Sequence, residues 1–206
     1  HPVAHSFPTR RSSDLVSEAV FREWNEAMID VYDPEAYHTR SPWIIRGIIA
    51  MLLRRIQALL QITPGDRVLE VGCGAGNVLE RLAGPRILAG LDLSPRLLDK
   101  ARSRCPEGAV LLAGRAEQMP LRSGEWDKVL CTEVIEHLLR PEACLREIRR
   151  VAADGAVIVV TTTNEGFVNR IKAVIWRLGL HRLIFAKKGY QADQRMDEQW
   201  HLQAFD

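Results

Sequence analysis

The residues able to do chemistry fall into two groups. The first is built on Glu70, which closes the apolar run Val68-Leu69-Glu70-Val71 and is followed by Gly72, Gly74 and Gly76 at alternate positions, with Cys73 and Ala75 between them and Asn77 behind. Glycine lets the backbone take a positive φ and lets a ligand approach closely, and a helix starting behind such a turn offers unpaired N–H groups. A second apolar run, Ile87 to Leu91, ends in Asp92, twenty positions after Gly72. At that separation a carboxylate at the tip of a second strand meets a ribose diol, so the first group predicts a site for a nucleoside-bearing ligand. Asn77 stands where the dinucleotide fingerprint G-x-G-x-x-G requires its third glycine, which disfavours a nicotinamide dehydrogenase, as does the lack of a Tyr-x-x-x-Lys pattern. The second group is Thr132-Glu133-Val134-Ile135-Glu136-His137. His137, with Glu133, is the candidate acid–base pair, although the same histidine also suits a packing or helix-capping role. Cys73 reads as a small filler of the glycine turn rather than a nucleophile.

These residues need elements that bring strand ends together. Thr63-Pro64-Gly65-Asp66 is a turn leading into the first strand, and a helix is expected from near Asn77 until Gly84-Pro85 ends it. Ile87 to Asp92 is a second strand, Leu93-Ser94-Pro95 caps a helix over Pro95 to Arg104, and Val110 to Ala113 and Trp126 to Thr132 are further strands. A helix over Pro141 to Val151 and a β-branched strand over Ala156 to Thr162 complete the alternation. The expected fold is therefore α/β, a doubly wound, mainly parallel Rossmann-like sheet with flanking helices and sites at the carboxyl ends of its strands. Upstream, Val16 to Tyr37 suits one or two short amphipathic helices broken at Asp33-Pro34. Ser41-Pro42 then starts a helix over Trp43 to Leu60, with Ile44, Ile48, Leu52, Ile56 and Leu59 on its apolar stripe. That helix is placed beside the sheet edge or over the ligand mouth, and Arg46, Arg54 and Arg55 keep it from being a membrane span.

Taken together, the acid-x-Gly-x-Gly-x-Gly run at Glu70 to Gly76, Asp92, Ala116-Glu117, Trp126-Asp127, Glu133 to His137 and Arg149-Arg150-Val151 before Gly155 resemble the class I S-adenosylmethionine-dependent methyltransferases of small molecules, of the ubiquinone- and menaquinone-biosynthesis kind, over about Thr63 to Asn164. The resemblance implies S-adenosylmethionine as cofactor, with Gly72, Cys73, Gly74 and Gly76 shaping its pocket, Glu70 facing the methionine portion, Asp92 with Leu93 at the ribose, and Ala116 and Glu117 bordering the adenine. Where the family often has Asp before the Ala-Glu pair, to accept from the adenine amino group, this chain has Arg115, which can only donate. The backbone at Ala116 or the Glu117 carboxylate would have to serve. Relatives also often show Pro-Gly-Gly where Ala152-Ala153-Asp154-Gly155-Ala156 stands, a departure expected to be harmless. Glu133, Glu136 and His137 form an E-x-x-E-H cluster of a kind linked to a divalent metal in quinone O-methyltransferases. Carboxylates at a helix start are stabilised without one, and no metal is assigned. The implied function is methyl transfer to oxygen or carbon of a small or lipid-like acceptor; a non-catalytic cofactor-binding fragment is the alternative.

The 206 residues suit a single core, and the net charge of +2 selects no partner. Neither an Asn/Asp-Pro-Pro-aromatic motif nor a Pro-Cys nucleophile is present, so no nucleic-acid substrate is expected. Cys73, Cys105, Cys131 and Cys144 form no C-x-x-C pair and read as reduced thiols of a cytoplasmic protein. Residues 1–15 resemble a translated sequencing adaptor, 16–62 form an N-terminal helical segment, 63–164 the cofactor-binding core, and 165–206 a helical lid with a truncated end whose closing hairpin is missing. Gly166 to Tyr190 carries Arg170, Lys172, Arg177, Arg182, Lys187 and Lys188 and no acid, which suggests a lid that meets a hydrophobic or anionic acceptor, with peripheral membrane contact through 166–190, or one that only packs on its own domain.

Overall fold

The computed structural model describes residues 17–31, 43–82, 84–162 and the single positions 170, 174, 177 and 179. The expected opening of the chain, the Asp33-Pro34 break, the Ser41-Pro42 cap, nearly all of the lid and the end at His201 lie outside the described residues. The elements are α1 (Glu18–Val31), α2 (Trp43–Leu60), β1 (Arg67–Val71), β2 (Ile87–Asp92), α3 (Pro95–Arg102), β3 (Val110–Ala113), β4 (Trp126–Thr132), α4 (Pro141–Val151) and β5 (Ala152–Thr161). The five strands form one parallel sheet in the order β3-β2-β1-β4-β5. The order reverses at β1, which lies between β2 and β4, and this is the switch point where α/β sheets bind ligands.

Strand periodicity divides the core. Leu69, Val71, Ala89, Leu91, Val129 and Cys131 point to one face, where Cys144, Ile148 and Val151 of α4 cover them. Val68, Leu88, Leu130 and Val159 point to the other, under Leu53, Ile56 and Leu60 of α2 and Leu98 of α3. The two continuous apolar faces are what a parallel sheet covered on both sides requires.

Three expectations need correction. The helix expected behind Asn77 is only a 3-10 turn, Leu79–Arg81, because few residues separate the glycine run from Gly84-Pro85. The stripe of α2 is rotated: Leu53, Ile56 and Leu60 are buried, whereas Ile48 and Leu59 are exposed. This helix is apolar almost all round, and packing against Val68, Leu82 and Val159 selects the face. It covers the sheet beside β5, and the carboxyl edge is crossed by α1 instead. Strand β5 also begins earlier than expected, at Ala152, and takes up the extra residues as a register shift opposite Trp126 and Lys128, with Gly155 at φ 78°.

One side-chain network ties the long connection between β3 and β4 to α4. Arg150 donates from Nε to Glu147 Oε1 (2.6 Å), from Nη2 to Glu147 Oε2 (2.8 Å) and to the Met119 carbonyl (3.1 Å), and from Nη1 to the Leu121 carbonyl (2.9 Å) and Ser123 Oγ (3.1 Å). Glu147 Oε2 also accepts from the Met119 N–H at 2.7 Å. The guanidinium holds the Glu147 carboxyl below the usual carboxylate range, so its contribution to stability is present above the unfolded pKa and lost as pH falls through the lowered folded one. Arg150→Ala should cost about 2 kcal/mol in urea unfolding at neutral pH, with a smaller difference from wild type in acid below the Glu147 titration.

Candidate functional site

The glycine turn is built by hydrogen bonds from the tip of β2. Gly72 N and Cys73 N donate to the Leu91 carbonyl at 2.7 and 3.0 Å, and Gly76 N donates to the Cys73 carbonyl at 2.9 Å. The Asp92 carboxylate braces the middle of the turn and the start of the next helix: Oδ2 accepts from Gly74 N at 2.7 Å and Oδ1 from Ser94 N at 2.9 Å. Ser94 then caps α3 by accepting from Leu97 N at 3.3 Å, with Pro95 opening the helix. Gly72 and Gly76 have φ of 75° and 78°. A Cβ at Gly72 would run into the Val134 side chain, and one at Gly76 would lie 2.7 Å from Cys105 Sγ, so both positions need glycine for conformation and for space. Asn77, read in the sequence only as a missing glycine, is buried and accepts from the Arg104 guanidinium in the turn after α3.

Glu70, on β1 beside Gly90 of β2 and Leu130 of β4, is 2% exposed. Burial, reinforced by the neighbouring Asp92 carboxylate, pushes its carboxyl well above the usual range, offset in part by a hydrogen bond from the Leu79 backbone. Its Oε2 has no hydrogen-bond partner among the described residues. Asp92 is raised too, again mainly by burial, with the Ser94 and Gly74 N–H groups pulling the other way. The Cys73 thiol is buried and pushed far above its ordinary range by burial and then by Glu70 and Asp92, so it stays protonated and is no nucleophile.

The remaining sequence-selected residues stand on the same edge of the sheet. Leu93 follows Asp92 and is half-buried against α1. Arg115, Ala116 and Glu117 form a tight turn after β3, closed by a bridge between Arg115 and Gln118. Arg115 Nε lies 3.6 Å from Glu117 Oε2, and the Glu117 side chain is 3% exposed with Oε1 unpartnered among the described residues. Beyond β4, Glu133 has a φ of 53°, unusual for a residue with a Cβ. It is clamped to β5, where its N–H donates to the Thr161 carbonyl (3.1 Å) and its Oε1 accepts from Thr161 Oγ1 (2.9 Å). His137 ends a 3-10 turn, Ile135–His137, and is half-buried, while Glu136 is buried. Among the described residues no group of three His, Cys, Asp or Glu side chains is arranged to hold a metal ion. Thr161 and the α1 residue Glu26 were not selected by sequence reasoning, because no local spacing connects either to the strand ends it adjoins.

A parallel sheet with a glycine turn and two acids at its switch point defines a nucleotide-type site. Residues 69–160 match the protein family described as "Methyltransferase domain". Over 148 residues the chain is 32% identical to a protein of Methylococcus capsulatus named ubiquinone biosynthesis O-methyltransferase, with 68% of this chain and 61% of that one covered. The chain thus spans less than two thirds of that relative's length. Two crystal structures share the fold: a Pyrococcus horikoshii protein (TM-score 0.56, 20% identity, 73% of this chain and 68% of that one) and a Bacillus halodurans protein (TM-score 0.52, 20% identity, 61% and 58%). Over residues 69–160 the chain is thus similar to methyltransferase domains, a family that implies S-adenosylmethionine as cofactor. Among the described residues no helix is long and apolar enough to cross a membrane.

Because burial favours the protonated form of Glu70, the ligand-free protein should lose stability as pH rises through this raised pKa. Thermal melts across pH should show a shallower loss for Glu70→Gln, whose amide does not ionise. Gly72→Ala, strained in φ and opposed by Val134, should lower stability by about 2 kcal/mol or more in the same measurement.

Proposed function

We propose that the protein is an S-adenosylmethionine-dependent methyltransferase acting on a small or lipid-like acceptor, at oxygen or carbon. The observation that carries this reading is the buried Glu70 Oε2, without a hydrogen-bond partner among the described residues, beside a glycine turn that Asp92 braces. The donor set fits the cofactor. Glu70 is an acceptor reserved for a cationic donor such as the α-ammonium of a methionine. Asp92 retains acceptor capacity for a ribose hydroxyl beside the backbone N–H groups of Gly74, Ser94 and Leu93, because a carboxylate has about four acceptor sites. Gly72, Cys73, Gly74 and Gly76 form the close wall and Leu93 an apolar one. Glu117, held by Arg115, offers its Oε1 to the adenine amino group in place of the missing Asp, with Ala116 beside it.

Bound, the sulfonium supplies an electrophilic methyl group. Transfer from it is an in-line displacement, so the protein's work is to align the acceptor and exclude water, and proximity accounts for much of the gain. Glu133 and His137 stand past β4, on the side of Gly72 where Val134 packs. Thr161 fixes one Glu133 oxygen, which orients that carboxylate. In this reading His137, with Glu133, takes the proton from an acceptor hydroxyl or ring carbon. A quinone-like acceptor is supported by the name of the Methylococcus relative, and the basic stretch 166–190 suits an anionic or lipid surface as a peripheral contact.

Calorimetric titration should give binding of S-adenosylhomocysteine and none of NAD; the reverse would overturn the proposal. Glu117→Ala should bind S-adenosylhomocysteine more weakly while no longer discriminating it from S-inosylhomocysteine. With S-adenosylmethionine and a prenylated hydroquinone, His137→Ala and Glu133→Gln should lower turnover by about a hundredfold, read as S-adenosylhomocysteine release, with product affinity within about threefold of wild type.

A further inference from the structure

Helix α1 has no place in the site by sequence, yet it lies across the carboxyl edge of the sheet. Phe21, Trp24 and Met28 are buried against Leu93 and Leu139, and Ile29 packs with Ala75 and Leu97. Leu93 adjoins Asp92, Ala75 belongs to the glycine turn, and Leu139 follows His137 by two positions, so α1 rests on the loops at the ends of β2, β1 and β4. Arg96 fastens it from α3: Nη1 lies 3.8 Å from Glu26 Oε2 and donates to the Glu26 carbonyl at 3.4 Å.

Glu26 is the unusual residue of this helix. Its side chain is 25% exposed, but both carboxylate oxygens are covered, and neither has a hydrogen-bond partner among the described residues. A covered carboxylate without donors is costly, so this position lacks donors that a ligand can supply. Its charge is felt at Asp92, whose proton affinity it raises. Asp92, in turn, accepts from the Gly74 and Ser94 N–H groups, with the Leu93 N–H also acting on it, and a carboxylate has about four acceptor sites.

We propose that Glu26 is a ligand-binding residue of the same site: its carboxylate and that of Asp92 together accept hydrogen bonds from the vicinal diol of a ribose, and α1 is a roof that this ligand completes. The inference rests on the cofactor reading above. Without the diol, the two carboxylates repel each other across the pocket; with it, hydroxyl donors satisfy both, so occupancy and the docking of α1 are coupled.

The test uses the whole chain, with S-adenosylhomocysteine and its 2′-deoxy and 3′-deoxy analogues as probes in calorimetry. Glu26→Gln should weaken S-adenosylhomocysteine by about tenfold or more, and that loss should fall to less than about threefold for one of the deoxy analogues, which lacks the hydroxyl concerned. Hydrogen exchange over residues 18–31 should slow on addition of S-adenosylhomocysteine to wild type, and slow less with the same deoxy analogue, a readout that does not depend on the variant folding. Equal affinities of Glu26→Gln and wild type for all three ligands, an equal loss for all three, or exchange in α1 indifferent to the ligand would overturn the proposal. Failure of wild type to bind S-adenosylhomocysteine at all would instead defeat the cofactor reading on which it rests.

Discussion

The carboxylate of Asp92 is the constraint on which the site depends. One oxygen holds Gly74 N and the other Ser94 N, so a single side chain at the tip of β2 fixes the glycine turn after β1 and the cap of α3. Both elements then inherit the precision of the sheet, because Asp92 pairs with Ala113 of β3 and comes directly after Leu91, whose carbonyl receives Gly72 and Cys73. Two charge-assisted bonds in a partly buried setting are stronger than their exposed equivalents. The turn is consequently shaped before any ligand arrives, and pre-shaped sites spend less of their binding energy on ordering.

The cost of this arrangement is electrostatic. Glu70 is buried and Asp92 half-buried, and burial together with the Asp92 charge makes Glu70 hard to ionise. The backbone N–H groups of Leu79, Gly74 and Ser94 offset part of that. What remains is a demand for positive charge and hydrogen-bond donors at the carboxyl edge, which a sulfonium amino acid joined to a ribose is chemically suited to meet. Acids that weaken the empty protein are thus the same acids that the proposed function assigns to its ligand, the exchange of stability for function common at binding sites.

On the opposite flank the long connection from β3 to β4 contains no helix or strand of its own. Arg150 of α4 supplies the order from outside by donating to Met119, Leu121 and Ser123 while Glu147 receives Met119 N. Helix α4 therefore covers one face of the sheet and also holds the loop that carries Glu117.

Much was legible in the sequence. The limits of β3, β4, α2 and α4, the parallel doubly wound class, and the positions of Glu70, the glycines and Asp92 come from local signals: period-2 apolar runs, Ser-Pro and Gly-Pro punctuation, and a fixed spacing from turn to acid. Arg115 was legible as a departure from the family pattern, because a side chain that only donates stands where one that accepts is usual. Other features depended on contacts between residues distant in the chain. The face that α2 buries was undetermined, since its apolar residues surround the axis and only Val68, Leu82 and Val159 choose among them. The missing crossover helix, the Thr161 clamp on Glu133, the Arg150 staple and the placement of α1 over the site are likewise tertiary. The sequence by itself determined which strand ends carry acids and where the backbone must turn, because those are short-range consequences of residue type. Tertiary structure decided which distant side chains join them, Glu26 and Thr161 among them, because packing of helices on a sheet brings together residues that no periodicity relates.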